Sequence, residues 1–163
     1  MSRETQKGFT YLALLFAVAM ASIVLAAVGE AWDTQRQRER ETELLFVGHQ
    51  FRRAIQDYYE HSPGAVKRYP RGLNDLLLDN RFLGVQRRLR QIYVDPMTGE
   101  KEWGLVAAPE GGIMGVYSLS NERAIKTGGF AARDADLEGK DNYSEWRFIY
   151  RPVAVSNPPP KSQ

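Results

Sequence analysis

Cysteine is absent from the 163-residue chain, which excludes disulfide staples, dithiol redox chemistry and thiolate metal sites. Histidine occurs twice, at His49 and His61, and neither stands in a metal-ligand spacing. Neither G-x-S-x-G nor S-x-x-K is present, so no nucleophile motif is on offer. The phosphate-cradling G-x-x-x-x-G-K-[ST] loop and the dinucleotide turn G-x-G-x-x-G are missing too. These absences point away from an enzyme. Charge of one sign is also lacking: the net value is +2, so composition alone implies no nucleic-acid role. No proline precedes Pro63, which leaves the first third of the chain free to form one helix.

What is there begins with an apolar block. Phe9 to Val28 is twenty residues without a charge, and at about 1.5 Å per residue such a helix matches the roughly 30 Å hydrocarbon core. Its polar side chains are Thr10, Tyr11 and Ser22; a helix returns such hydroxyls to its own backbone. The run is long for a secretory signal, although "ASIVLAAVGEA" holds small residues, and cleavage near Ala27 or Ala31 stays open as an alternative. Basic residues nearly balance on its two sides, Arg3 and Lys7 against Arg36, Arg38 and Arg40, so charge does not orient it. On composition alone a plain single-span anchor is a sufficient reading.

Beyond Gly29 the chain turns polar, with interleaved charges from Asp33 to Glu43. Leu44, Val47, Phe51, Ile55 and Tyr58 follow at spacings of 3, 4, 4 and 3, one apolar stripe that packs on a globular head. A coiled coil is the alternative, but the stripe is short for one. The periodicity predicts a helix from Phe9 to about Tyr59, with Gly29 and Gly48 as weak points. "HSPGAVKRYPRG" ends it. "GLNDLLLDNRFLG" predicts a short helix with Leu73, Leu76, Leu77 and Phe82 inward. Strands are expected in "WGLVAAP", "IMGVYSLS" and "EWRFIYR", the last with Trp146, Phe148 and Tyr150 on one face and Arg147 and Arg151 on the other. The fold class is therefore α+β.

The junction "KGFTYLALLFAVAMASIVLAAV" resembles the class III signal of type IV pilins and type II secretion pseudopilins, through Lys7, Gly8, Phe9, Thr10 and Leu12. Three later blocks follow in family order: "RYPRGLNDLLLD", "YVDPMTGEKEWGLV" and "GVYSLSNE". The resemblance implies a pilin-like fold: a long N-terminal helix, its first half transmembrane, packed on a small antiparallel sheet. It implies a leader at 1–8, an assembly helix at 9–28 that includes Thr10, Leu12 and Ala13, an amphipathic continuation at 29–62, a head at 63–155 and a disordered tail at 156–163. A prepilin peptidase would cut after Gly8 and methylate Phe9. Partners would be other pilin or pseudopilin subunits and an inner-membrane assembly platform, with the head in the periplasm and a role in protein export. Where the family carries a glutamate, this chain has Ala13; that residue cannot pair with a neighbour's amino terminus, which suits a minor, initiating or tip subunit, or a variant that assembles by other contacts.

Two further features bear on binding. "DADLEGKDNYSE" places Asp134, Asp136, Glu138, Asn142 and Glu145 at alternating ligand positions around Gly139, an approximate calcium loop, and calcium commonly organises the corresponding loop of the family. A solvated acidic loop is the competing reading. Arg87, Arg88 and Arg90, beside Arg81, Phe82 and Tyr93, form the one candidate for nucleic-acid contact; a DNA-uptake role would use them, whereas a subunit-contact face or a solvated loop would also account for them.

Overall fold

The computed structural model describes the backbone of residues 6–152 and the side chains of residues 10–22 and 32–152. Residues 1–5 of the expected leader and the whole tail at 156–163 lie outside the described residues, as do the side chain of Phe9 and those of Ile23–Val28. The chain divides into two compact units, 1–39 and 40–163.

Helix α1 covers Gln6–Glu60, with the proline-free composition that allows it. In the N-terminal unit, Ser22 Oγ donates to the Val18 carbonyl at 2.9 Å, so this hydroxyl is returned to the backbone as expected. Further on, Gln35 Nε2 donates to Glu39 Oε1 at 3.1 Å across one helical turn.

The second unit is α+β. After α1 come helix α2 (Asn74–Leu77) and strands β1 (Gly104–Ala107), β2 (Ile113–Tyr117) and β3 (Phe148–Ile149). The strands form one antiparallel sheet in the order β1-β2-β3, with Leu105 opposite Val116 and Gly115 opposite Ile149. Gly111 and Gly112 turn β1 into β2 at φ +92° and +86°. A Cβ on Gly112 would also stand 2.8 Å from the Pro70 carbonyl oxygen, so the turn and the neighbouring Tyr69–Pro70 segment both require glycine there.

The stripe on α1 is the spine of the core. Leu44, Val47, Phe51, Ile55 and Tyr58 are all buried, each contributing roughly 1.5–3 kcal/mol of transfer free energy. They meet Leu76, Trp103, Val116, Trp146 and Phe148; Phe51 and Trp103 stand with ring centroids 5.1 Å apart. Because residues 40–60 of α1 are built into this core, the head's unit begins at Arg40 and not at the helix end.

Two elements are shorter than expected. Helix α2 has a single turn because Leu78 is already extended, at φ −147° and ψ 106°. Beyond it the Asp79 amide donates to the Gln86 carbonyl at 2.8 Å and the Leu89 amide to the Leu76 carbonyl at 2.8 Å, closing a loop. Leu76 is buried as expected, with Leu73, Leu77 and Phe82 half-buried. In "EWRFIYR" the strand is confined to Phe148–Ile149, since the Trp146 amide is bonded back to the Tyr143 carbonyl at 3.0 Å in a 3-10 turn. The alternation nevertheless holds: Trp146 and Phe148 are fully buried, Arg147 and Arg151 exposed.

Gly48 is helical and not a weak point. An ideal Cβ there would stand 2.4 Å from Phe148 Cγ, so the glycine is what lets the phenyl ring lie directly on the α1 backbone.

Candidate functional site

Residues 10–22 of α1 are exposed on every side. Tyr11, Leu12 and Phe16 show 64, 67 and 70% of their surfaces, and Leu14, Val18 and Met20 stand in the same way. A helix that is apolar all round is stable where its surroundings are apolar too, in lipid or among like helices. Thr10, Leu12 and Ala13 lie in this bare segment, and the backbone of Gly8 and Phe9 is helical just ahead of it. Among the described residues no helix is long and apolar enough to cross a membrane; of the expected span 9–28, the described side chains are those of 10–22.

In the head, three buried carboxylates tie loops to α1. Glu41 accepts from the Ile125 amide at 2.7 Å, the Lys126 amide at 3.0 Å and the Tyr143 hydroxyl at 3.0 Å, which anchors the long 121–144 loop on the helix. Asp79 receives Arg81 Nε at 2.7 Å and Nη2 at 2.8 Å, a two-pronged pair. The same guanidinium donates to Ser62 Oγ and to the Tyr58 carbonyl and lies 3.5 Å from the Tyr58 ring centroid. Burial raises the Asp79 carboxyl, but the Arg81 hydrogen bonds and the charges of Arg81 and Arg88 outweigh it, holding the group below the usual carboxylate range. Burial likewise raises the Tyr58 hydroxyl, with Arg81 opposing. Tyr150, which donates to Glu60 Oε1 at 3.1 Å, is pushed up to about 12 by burial and then by that carboxylate.

The third carboxylate is Asp134, the first residue of the expected calcium loop. It is turned inward: both its oxygens are 2.9 Å from His49 Nε2, and Arg52 Nη1 donates to it at 2.9 Å. Arg133 Nε stands 3.6 Å away. A divalent cation at this carboxylate would face two guanidinium groups. Asp136 is exposed and 3.7 Å from Arg151, Glu138 is exposed, Glu145 accepts from the Asp141 amide, and Asn142 bridges to Arg123. Asp134, Asp136 and Glu145 thus have different partners, and among the described residues no three His, Asp or Glu side chains form a group that could hold a metal ion. Gly139 does make the sharp turn its position calls for, at φ +71°.

The arginine run divides. Arg88 is drawn inward, 3.8 Å from Asp79 and over the Phe82 ring, and Arg81 is committed to Asp79. Arg87 and Arg90 remain exposed beside Lys101. Tyr93 stacks edge-on against Phe51, so it is not a free platform for a base.

Glu41, Asp79 and the His49–Asp134–Arg52 cluster were not legible as anchors. Asp79 and Arg81 are two residues apart and could have been paired locally, whereas Glu41 and Tyr143 are separated by 102 positions with no periodic signal. Compared with family models, curated proteins and solved structures, the chain matches none of them.

Proposed function

We propose that the chain is a pilin-like assembly subunit, of the kind a type II secretion system or related machine uses as a pseudopilin. The observation that carries the reading is the bare apolar segment at residues 10–22 on the same helix whose residues 44–58 are the spine of the head. The stripe at residues 44–58 is buried in the head, whereas residues 10–22 are apolar and exposed, and such a segment needs lipid or neighbouring helices. The order of the sequence blocks, from Lys7-Gly8-Phe9 through Arg68-Tyr69-Pro70 and Asp95-Pro96 to Tyr117-Ser118-Leu119, supports it. In this reading the leader is removed after Gly8, the helix stays in the inner membrane or a filament core, and the head works in the periplasm. With Ala13 in place of a glutamate no intramembrane carboxylate is available to pair with a neighbour, which suits a minor, initiating or tip subunit, or a variant that assembles by other contacts.

The test is the N-terminal mass of the protein from its native membranes. The expected chain begins at methylated Phe9, and a Gly8→Ala variant stays uncut. A chain that begins at residue 1 or 2 overturns the reading and leaves a plain anchor carrying a periplasmic binding head.

A further inference from the structure

The head carries an open groove of about 510 Å³ lined by the aliphatic Leu77, Leu78 and Ile92 together with the basic Arg87, Arg90 and Lys101. Among the described residues none of these three cations is paired with a carboxylate, in contrast to Arg81 and Arg88. Leu78 and Val94 are left 44% exposed in this region, and the adjoining loop bears Leu83 and Val85 in the open. Exposed aliphatics beside unpaired positive charge make a surface that is complementary to carboxylates on a protein partner.

The complement lies on the same chain, at the other end of the sheet. Lys101 leads into β1 and the 134–145 loop leads into β3, and β1 and β3 are the two edges of the sheet. That loop exposes Asp136, Glu138, Asp141 and Glu145. Asp136 faces Arg151 and, with Glu145, lines a pocket shared with Lys140 and Arg147, while Glu138 and Asp141 form no ion pair among the described residues. Among the described residues the basic flank and the acidic flank make no ion pair with each other within one head. They can pair between two heads, in a head-to-tail contact that repeats without closing. The apolar lining is leucine and isoleucine, not aromatic, which favours a protein partner over the stacked bases of a nucleic acid.

We propose that the groove receives the 134–145 loop of a second copy of this chain. The proposal deepens the assembly reading above, since helices gathered in a membrane or filament would bring the heads together, but the contact itself is a property of the head. The cysteine-free sequence allows a direct test on the full chain in native membranes. Gln91→Cys lies in the groove lining and Ala135→Cys on the exposed part of the loop. A chain carrying both should give an oxidative ladder of dimers, trimers and higher species, while either single variant stops at dimers. Combining Arg87→Glu with Arg90→Glu should weaken the ladder by about tenfold or more, as expected for loss of about 1.4 kcal/mol or more. Adding Glu138→Lys and Asp141→Lys should restore it. No ladder from protein that begins at Phe9 overturns the docking and leaves the assembly reading intact. A ladder from uncut protein supports the docking and overturns prepilin processing. A ladder indifferent to the charge reversals overturns the docking, as does loss of DNA or anionic-vesicle binding on reversal without any ladder, which would reassign the arginines.

Discussion

Replacing Gly48 by alanine sets two effects of opposite sign against each other. In a helix interior alanine is favoured over glycine by roughly 1 kcal/mol, and Gly48 has no positive φ that would oppose the change. The new methyl, however, would stand 2.4–2.5 Å from three carbons of the Phe148 ring, far inside contact distance. That ring is fully buried, flanked edge-on by His49 and by the Arg52 guanidinium. Its own backbone is pinned as well, since Gly115 on β2 lies tight against the Phe148 carbonyl. Overpacking of this kind costs about 1–3 kcal/mol; the pinned ring puts it at the upper end, and subtracting the propensity gain of roughly 1 kcal/mol leaves a net loss of about 2 kcal/mol. With a urea slope of roughly 1.5 kcal/mol/M the midpoint falls by about 1.3 M, read by the fluorescence of the buried Trp103 and Trp146 on the full chain in detergent. Gly128→Ala, which meets nothing within 4 Å, is the control. Phe148→Leu in the Gly48→Ala background should recover part of the loss relative to either change added separately. A Gly48→Ala chain as stable as the parent would refute the reasoning, because it would mean that β3 is free to move off the helix.

Glu41→Ala strands the Ile125 and Lys126 amides and the Tyr143 hydroxyl, which should cost about 2–3 kcal/mol and make Arg123, Lys126 and Arg133 the first sites of limited tryptic cleavage. Arg81→Lys keeps the charge but cannot hold Asp79, Ser62 and the Tyr58 carbonyl together, so it should destabilise nearly as much as Arg81→Ala in urea titrations. The depressed Asp79 carboxyl contributes stability that is present above its unfolded value of about 4 and lost as pH falls through the folded one; an Asp79→Asn chain should lose that part of its acid sensitivity below about pH 4. Tyr150, raised to about 12, contributes stability that is complete below its unfolded value of about 10 and lost as pH climbs to about 12, and Tyr150→Phe should flatten the alkaline limb of the stability profile.

Sequence by itself determined the elements whose signals are local or periodic. The absence of proline before residue 63 and the 3-4-4-3 stripe specified α1 and its buried face, because a helix shows its core side at a repeat that does not depend on what covers it. The alternation in Trp146–Phe148 and the diglycine at 111–112 announced a half-buried strand and a tight turn in the same way. Tertiary structure alone decided how long α2 and β3 became, because backbone partners at Gln86 and Tyr143 compete with continuing either element. It also decided the fate of the charges. Asp134, a candidate cation ligand, and Arg88, a candidate phosphate contact, are each turned inward to a partner of opposite charge, while Arg87 and Arg90 stay exposed and form no ion pair among the described residues. Whether a charge is spent inside the fold or offered outside depends on which side chains converge on it in space, and residues as far apart as 85 positions, such as His49 and Asp134, leave no trace of that convergence in the one-dimensional pattern.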